Sequence, residues 1–139
     1  MANDLGLSVK TKLYQLLSAI TYDGKPIPVH NTLAGVNAGT MWVTVEDYSQ
    51  RPDGTKLRPM YQSTVLIEVV VKGDDYAMLN GISNQVIAMI YTSHGNGIDM
   101  DSCTAYVVGE PTITEMAQDD GSEIYLRKQL MVNLKLSPK

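Results

Sequence analysis

The chain has 139 residues, 44% of them hydrophobic, which fits one domain over residues 1–139 with a real core and leaves little room for a second. Its net charge of −4 comes from 15 acidic residues against 11 scattered basic ones, so the basic footprint of a nucleic-acid grip is excluded. A single cysteine excludes an internal disulfide, and with no apolar run of about eighteen residues and no basic-then-apolar leader, the sequence predicts a soluble protein with no membrane span or secretory signal.

Val9, Leu13, Leu16, Leu17 and Ile20 recur at helical spacing, which predicts an amphipathic helix over residues 8–20 with Ser8 as its N-cap. "YDGKPIPVHN" then combines Asp-Gly with two prolines and predicts an irregular or edge-strand connection, and "TLAGVNAGT" a loop of small residues. In "MWVTVEDYS", Met41, Val43 and Val45 alternate with Trp42, Thr44 and Glu46, the two-residue period of a strand. The stretch Gln50 to Pro59 holds two prolines, Asp-Gly, Arg51, Lys56 and Arg58, and predicts a long turn that protrudes as a contact element.

Val65, Ile67, Val69 and Val71 form the apolar face of a second strand over 61–72, and the opposite face carries Leu66 and Val70 beside Glu68. That second face is half apolar, so it is expected to touch something besides water. After Lys72-Gly73-Asp74, the period changes to that of a helix bearing Leu79, Ile82, Val86, Met89 and Ile90, with Asp74 or Asp75 as its cap. "TSHGNGIDMDS" predicts a loop, and "CTAYVVGEPTITEM" and "GSEIYLRKQLMVNLKL" predict two extended segments joined near Asp120-Gly121 as a long hairpin. Ile124, Leu126, Leu130, Val132, Leu134 and Leu136 share one face of the last strand, with Lys128 the polar member. The order predicts an α+β domain: a mainly antiparallel sheet with both helices packed on one face.

Residue types suited to chemistry are few. His94, Asp101 and Cys103 are near in sequence, but a triad is defined by geometry, and a loop histidine with a small apolar cysteine at a strand start is the simpler reading. His30 has no second ligand at metal spacing. Asp99 with Asp101, and Asp119 with Asp120, lack the ligand number of a calcium loop. Gly95-Asn96-Gly97 has no following Lys-Ser or Lys-Thr, which excludes a phosphate loop. The chain is therefore expected to be no enzyme and to carry no cofactor or metal. A small enzyme built on Cys103 and His94 stays the alternative from another class.

Only 19% of the residues are charged, while Tyr and Met number eight each, a balance typical of surfaces buried against other subunits. Trp42, Tyr48 and Tyr61 are either core aromatics or lining of a subunit contact. Leu66, Val70, Trp42, Tyr125 and Met131 lie opposite the predicted core stripes and are expected to form an exposed interface patch.

Taken in order, "KTKLYQLLSAI", "YDGKPIPVHN", "MWVTVEDYS", "YQSTVLIEVVVKG", "YAMLNGISNQVIAMI" and the terminal strand pair resemble the tail-terminator and tail-completion (tail-to-head joining) proteins of long-tailed bacteriophages over nearly the full length. The resemblance implies a virion protein, made in the bacterial host cytoplasm, that forms a hexameric ring. One side of the ring would cap the tail tube and stop its polymerisation, and the other would meet the head connector. A head-closure or other neck protein, or a tube subunit, is the alternative within that class. Six copies at −4 each suit a lumen through which DNA passes without specific binding, because phosphates are repelled.

Overall fold

A computed structural model describes residues 4–30, 41–54, 57–91, 97–119 and 121–139. Helix α1 spans Gly6–Leu17 and α2 spans Tyr76–Tyr91. The strands are β1 Thr21–Tyr22, β2 Lys25–Pro26, β3 Val29–His30, β4 Met41–Pro52, β5 Tyr61–Lys72, β6 Ile98–Asp99, β7 Cys103–Val107, β8 Thr112–Asp119 and β9 Ile124–Pro138. The segments 31–40 and 92–96, which include His94, and residues 55–56, which include Lys56, lie outside the described residues.

The predicted α+β class holds: among the described residues, one mainly antiparallel sheet runs in the order β3-β4-β5-β9-β7-β6, with β8 also on β9. Only β3 against β4 is parallel. The length of β9 follows from its double duty. One edge pairs with β5 from Tyr125 to Leu136, while the other is shared by β8 along Ile124–Met131 and β7 along Leu134–Pro138. Its even-numbered side chains Leu126, Leu130, Val132, Leu134 and Leu136 are all buried, as the alternation predicts. Ile124 departs from the predicted stripe. It stays 43% exposed at the far end of the hairpin.

Both helices lie on one face of the sheet, α1 over β4 and α2 over β5 and β9. The core unites Val9, Leu13 and Leu17 of α1 with Leu79, Ile82, Val86 and Ile90 of α2 and the inward residues of the strands. Full burial of one such leucine or isoleucine stabilises the fold by about 1.5–3 kcal/mol. In α2 the predicted cap is present: Asp75 Oδ1 accepts the Met78 N–H at 3.0 Å.

Three sequence expectations need correction, and a fourth gains detail. Ser8 is not the N-cap of α1, because the helix begins two residues earlier, with buried Leu5 at its N-cap and Asp4 Oδ1 accepting the Gly6 N–H at 2.9 Å. Ser8 Oγ instead accepts the Ser102 N–H at 3.1 Å, tying the helix to the start of β7. The connection after α1 ends in edge strand β3, within the predicted irregular or edge-strand stretch, and it also contains a small hairpin, β1–β2, where Asp23 (φ 53°) and Gly24 (φ 77°) supply the two positive angles of a type I′ turn. The predicted single extended segment from Cys103 to Met116 is two strands, since Gly109 at φ 68° turns the chain out of β7 before β8 begins. Finally, β4 and β5 pair as far as Pro52 and Tyr61, so the turn predicted over 50–59 is shorter and Arg51 sits in the ladder opposite Gln62.

Candidate functional site

The sheet face turned away from the helices carries the unusual chemistry. Strand register stacks its side chains in layers across β4, β5, β9 and β8: Trp42, Val70, Arg127 and Met116; then Thr44, Glu68, Gln129 and Thr114; then Glu46, Leu66, Met131 and Thr112. The middle layer is wholly polar, and Arg127 and Glu46 extend that polarity into the otherwise largely apolar layers on either side.

In the polar layer, Glu68 is 4% exposed. Arg127 donates from Nη1 to Glu68 Oε1 at 2.7 Å and from Nε to Gln118 Oε1 at 2.8 Å, and Gln129 Nε2 donates to Glu68 Oε2 at 3.0 Å. Both carboxylate oxygens are therefore satisfied, as a buried charge requires. The Tyr125 ring meets Trp42 edge to face, with centroids 6.3 Å apart. Glu46 is different: its Oε1 is enclosed without a hydrogen-bond partner among the described residues.

Burial raises the Glu46 carboxyl from 4.5 to about 7, helped by the negative charges of Glu68 and Asp47 and opposed by Arg127. An unfolded chain releases this proton near 4.5 and the folded chain holds it to about 7. Stability from this group is thus complete below about 4.5 and lost as pH rises through about 7. Because the side chain is half-solvated, the effect is screened to about 1 kcal/mol. Glu46→Gln is accordingly expected to stabilise the fold by about that amount at pH 8 and to flatten stability between pH 5 and 8, as read by urea unfolding at each pH; an unchanged pH slope overturns the assignment.

The sequence-predicted contact residues separate into three groups. Trp42 at 4% exposure and Val70 at 0% are buried within the chain, which corrects the expectation that they stand open, and Tyr61 is likewise a core residue at 4%. Leu66 and Tyr125 are half-buried, and Met131 is 42% exposed, so an open patch on this face centres on Met131 and its neighbours on β8. Tyr48 does not join the Trp42 face as simple alternation suggests. A register shift between Glu46 and Tyr48 brings Tyr48 opposite Val65 on the helix side, where its hydroxyl donates to Gln50 Oε1 at 2.7 Å.

Arg51 donates from Nε to Gln62 Oε1 at 2.9 Å, and Gln62 Nε2 donates to Asp53 Oδ2 at 3.0 Å, so this guanidinium is held across the sheet. Arg58 is exposed beyond it. Periodicity alone marks Glu68 only as partial polarity and does not single out Arg127 or Gln129; the signal that joins them is the registry of one acid with one base on adjacent long strands, which needs the pairing to be known.

Cys103 is fully buried and its burial pushes the thiol pKa up, which disfavours the thiolate a nucleophile needs. The Lys139 ammonium pairs with Asp99 and holds its carboxyl below the usual range. Among the described residues no three His, Cys, Asp or Glu side chains are grouped to hold a metal ion, and no helix is long and apolar enough to cross a membrane.

No protein-family model and no curated protein matches the sequence. In fold, the chain is similar to a chain from the "Virion of native gene transfer agent (GTA) particle", with a TM-score of 0.70 at 13% identity over 98% of this chain and 99% of that one. At that identity the likeness is one of fold alone.

Proposed function

We propose that this chain is a structural virion protein of the tail-terminator type, forming a closed ring of six copies that caps the tail tube, ends its growth and joins it to the head connector. The observation that carries the reading is the fold likeness to a chain of a virion particle along the whole length of both. Support comes from the sequence order that resembles tail-completion proteins, and from the low charge content. A buried, deactivated Cys103 argues against the thiol enzyme. Contacts along a helix-free sheet face and its projecting hairpin suit head-to-tail association, which closes into a ring when the rotation per copy divides a full turn.

The test mixes purified protein with tail tubes assembled from their own subunit. Capped tubes of fixed length, with ring-shaped density at one end in electron micrographs, are expected. Tubes that continue to grow, with the protein free in solution, overturn the reading.

A further inference from the structure

Two enclosed polar side-chain atoms on the helix-free face have no hydrogen-bond partner among the described residues: His30 Nε2 on β3 and Glu46 Oε1 on β4. Register brings them near each other. β3 pairs in parallel with β4, Val29 opposite Val43 and His30 opposite Thr44; the two valines belong to the core on the helix side, so His30 and Thr44 share the other face. Thr44 is in turn opposite Glu68, and Glu46, two residues after Thr44, is the diagonal neighbour of both His30 and Glu68. With strands about 4.8 Å apart and a rise of about 3.3 Å per residue, each diagonal spans roughly 8 Å between Cα atoms, within reach of these long side chains.

The two neighbours suit different protonation states of Glu46. A neutral carboxyl has an O–H to donate, and the Glu68 carboxylate on β5 is an acceptor. An ionised carboxyl is an acceptor alone: Glu68 then repels it, and the imidazole N–H of His30 on β3 is the donor on its other side. The other charged groups around Glu46 are Asp47, next to it on β4, and Arg127 of β9, which donates from Nη1 to Glu68 and from Nε to Gln118. Leu66, Met131 and Thr112, in its own layer, carry no charge, and neither do Thr114 and Met116 of β8. The strand is irregular at this point. The register shift after Glu46 leaves Asp47 without an opposite residue, a bulge of the kind that re-aims a side chain.

We propose that Glu46 is a two-position proton switch: protonated, it donates to Glu68 and ties β4 to β5; ionised, it accepts from His30 and clasps edge strand β3 to β4. Apart from this clasp, β3 is held by a two-residue ladder and by the Val43 N–H donating to the Pro28 carbonyl at 2.9 Å. The carboxyl changes state as the pH passes about 7, so β3 is clasped above neutrality and loosened below it. The clasp offsets part of the cost of ionising an enclosed carboxyl, and global stability still falls through the same pH. The switch lies within one chain and does not depend on the ring reading.

Hydrogen exchange of the Val43 amide, which is bonded to Pro28, reads the attachment of β3 directly. From pH 6 to pH 8 the ionised fraction of a group titrating near 7 rises about tenfold, and Val43 protection, corrected for intrinsic exchange, is expected to rise by a similar factor. In Glu46→Gln the protection is expected to be the same at both pH values, and in His30→Ala the rise is expected to disappear. Wild-type protection that is flat or falls with pH overturns the switch, and so does a full rise in folded His30→Ala. Should a variant fail to fold, the wild type decides alone by nuclear magnetic resonance: the Glu46 carboxyl carbon and the His30 ring nitrogens are expected to shift with one shared midpoint, and separate midpoints overturn the proposal.

Discussion

Arg127→Ala is expected to destabilise the fold by about 3 kcal/mol at pH 8, the lower end of the range for breaking a buried ion pair. Glu68 is almost completely enclosed, and the substitution leaves its carboxylate with the Gln129 amide as a donor and Glu46 as a negative neighbour. Arg127 itself is a quarter exposed, which places the effect at the low end. At pH 5 Glu46 is protonated, so one of the charges facing the orphaned Glu68 is gone and the loss is expected to shrink. The double variant Glu68→Gln with Arg127→Gln removes both charges and is expected to fall within about 1.5 kcal/mol of the wild type. Urea unfolding at the two pH values measures all of this. A loss under about 1 kcal/mol at pH 8, or one equal at both pH values, means the pair contributes little.

Met131→Asp is the variant expected to change function most while sparing the fold. Met131 is 42% exposed, opposite Leu66 on β5 and Thr112 on β8, so a carboxylate there remains hydrated in the free chain. In an assembled ring that seats this face against a neighbour or the tube, the same carboxylate must lose water without a partner, which costs several kcal/mol. Cells making this variant are expected to accumulate tails of uncontrolled length or tails that fail to join heads, with the purified protein unfolding within about 0.5 kcal/mol of the wild type. Normal tails at normal length exclude this face from the contact. Leu66→Asp is the less clean companion, since Leu66 is half-buried and the substitution disturbs the monomer as well.

The sequence by itself determined the local elements wherever a single hydrophobic period ran without interruption. The span of β5 from Tyr61 to Lys72, the α2 stripe from Leu79 to Ile90 with its Asp75 cap, and the inward face of β9 from Leu126 to Leu136 all follow from alternation or helical spacing, because those side chains must leave water whatever the rest of the chain does. Periodicity says that a strand has two faces, but not what covers the second one. Only the tertiary structure decided that Trp42 and Val70 are buried inside the monomer while Met131, on the same face, stays open. Nor does periodicity carry register. The shift between Glu46 and Tyr48 that returns Tyr48 to the core arises from pairing with Leu66 and Val65 on the next long strand, and the alignment of Glu68 with Gln129 beside Arg127 from pairing between strands that are far apart in the chain; in both, closing the chain and filling the core select one register over its neighbours. The central place of β9 was hidden for the same reason: a last strand inserted between β5 and β7 is a long-range solution to burying one apolar face, and no local stretch of sequence encodes it.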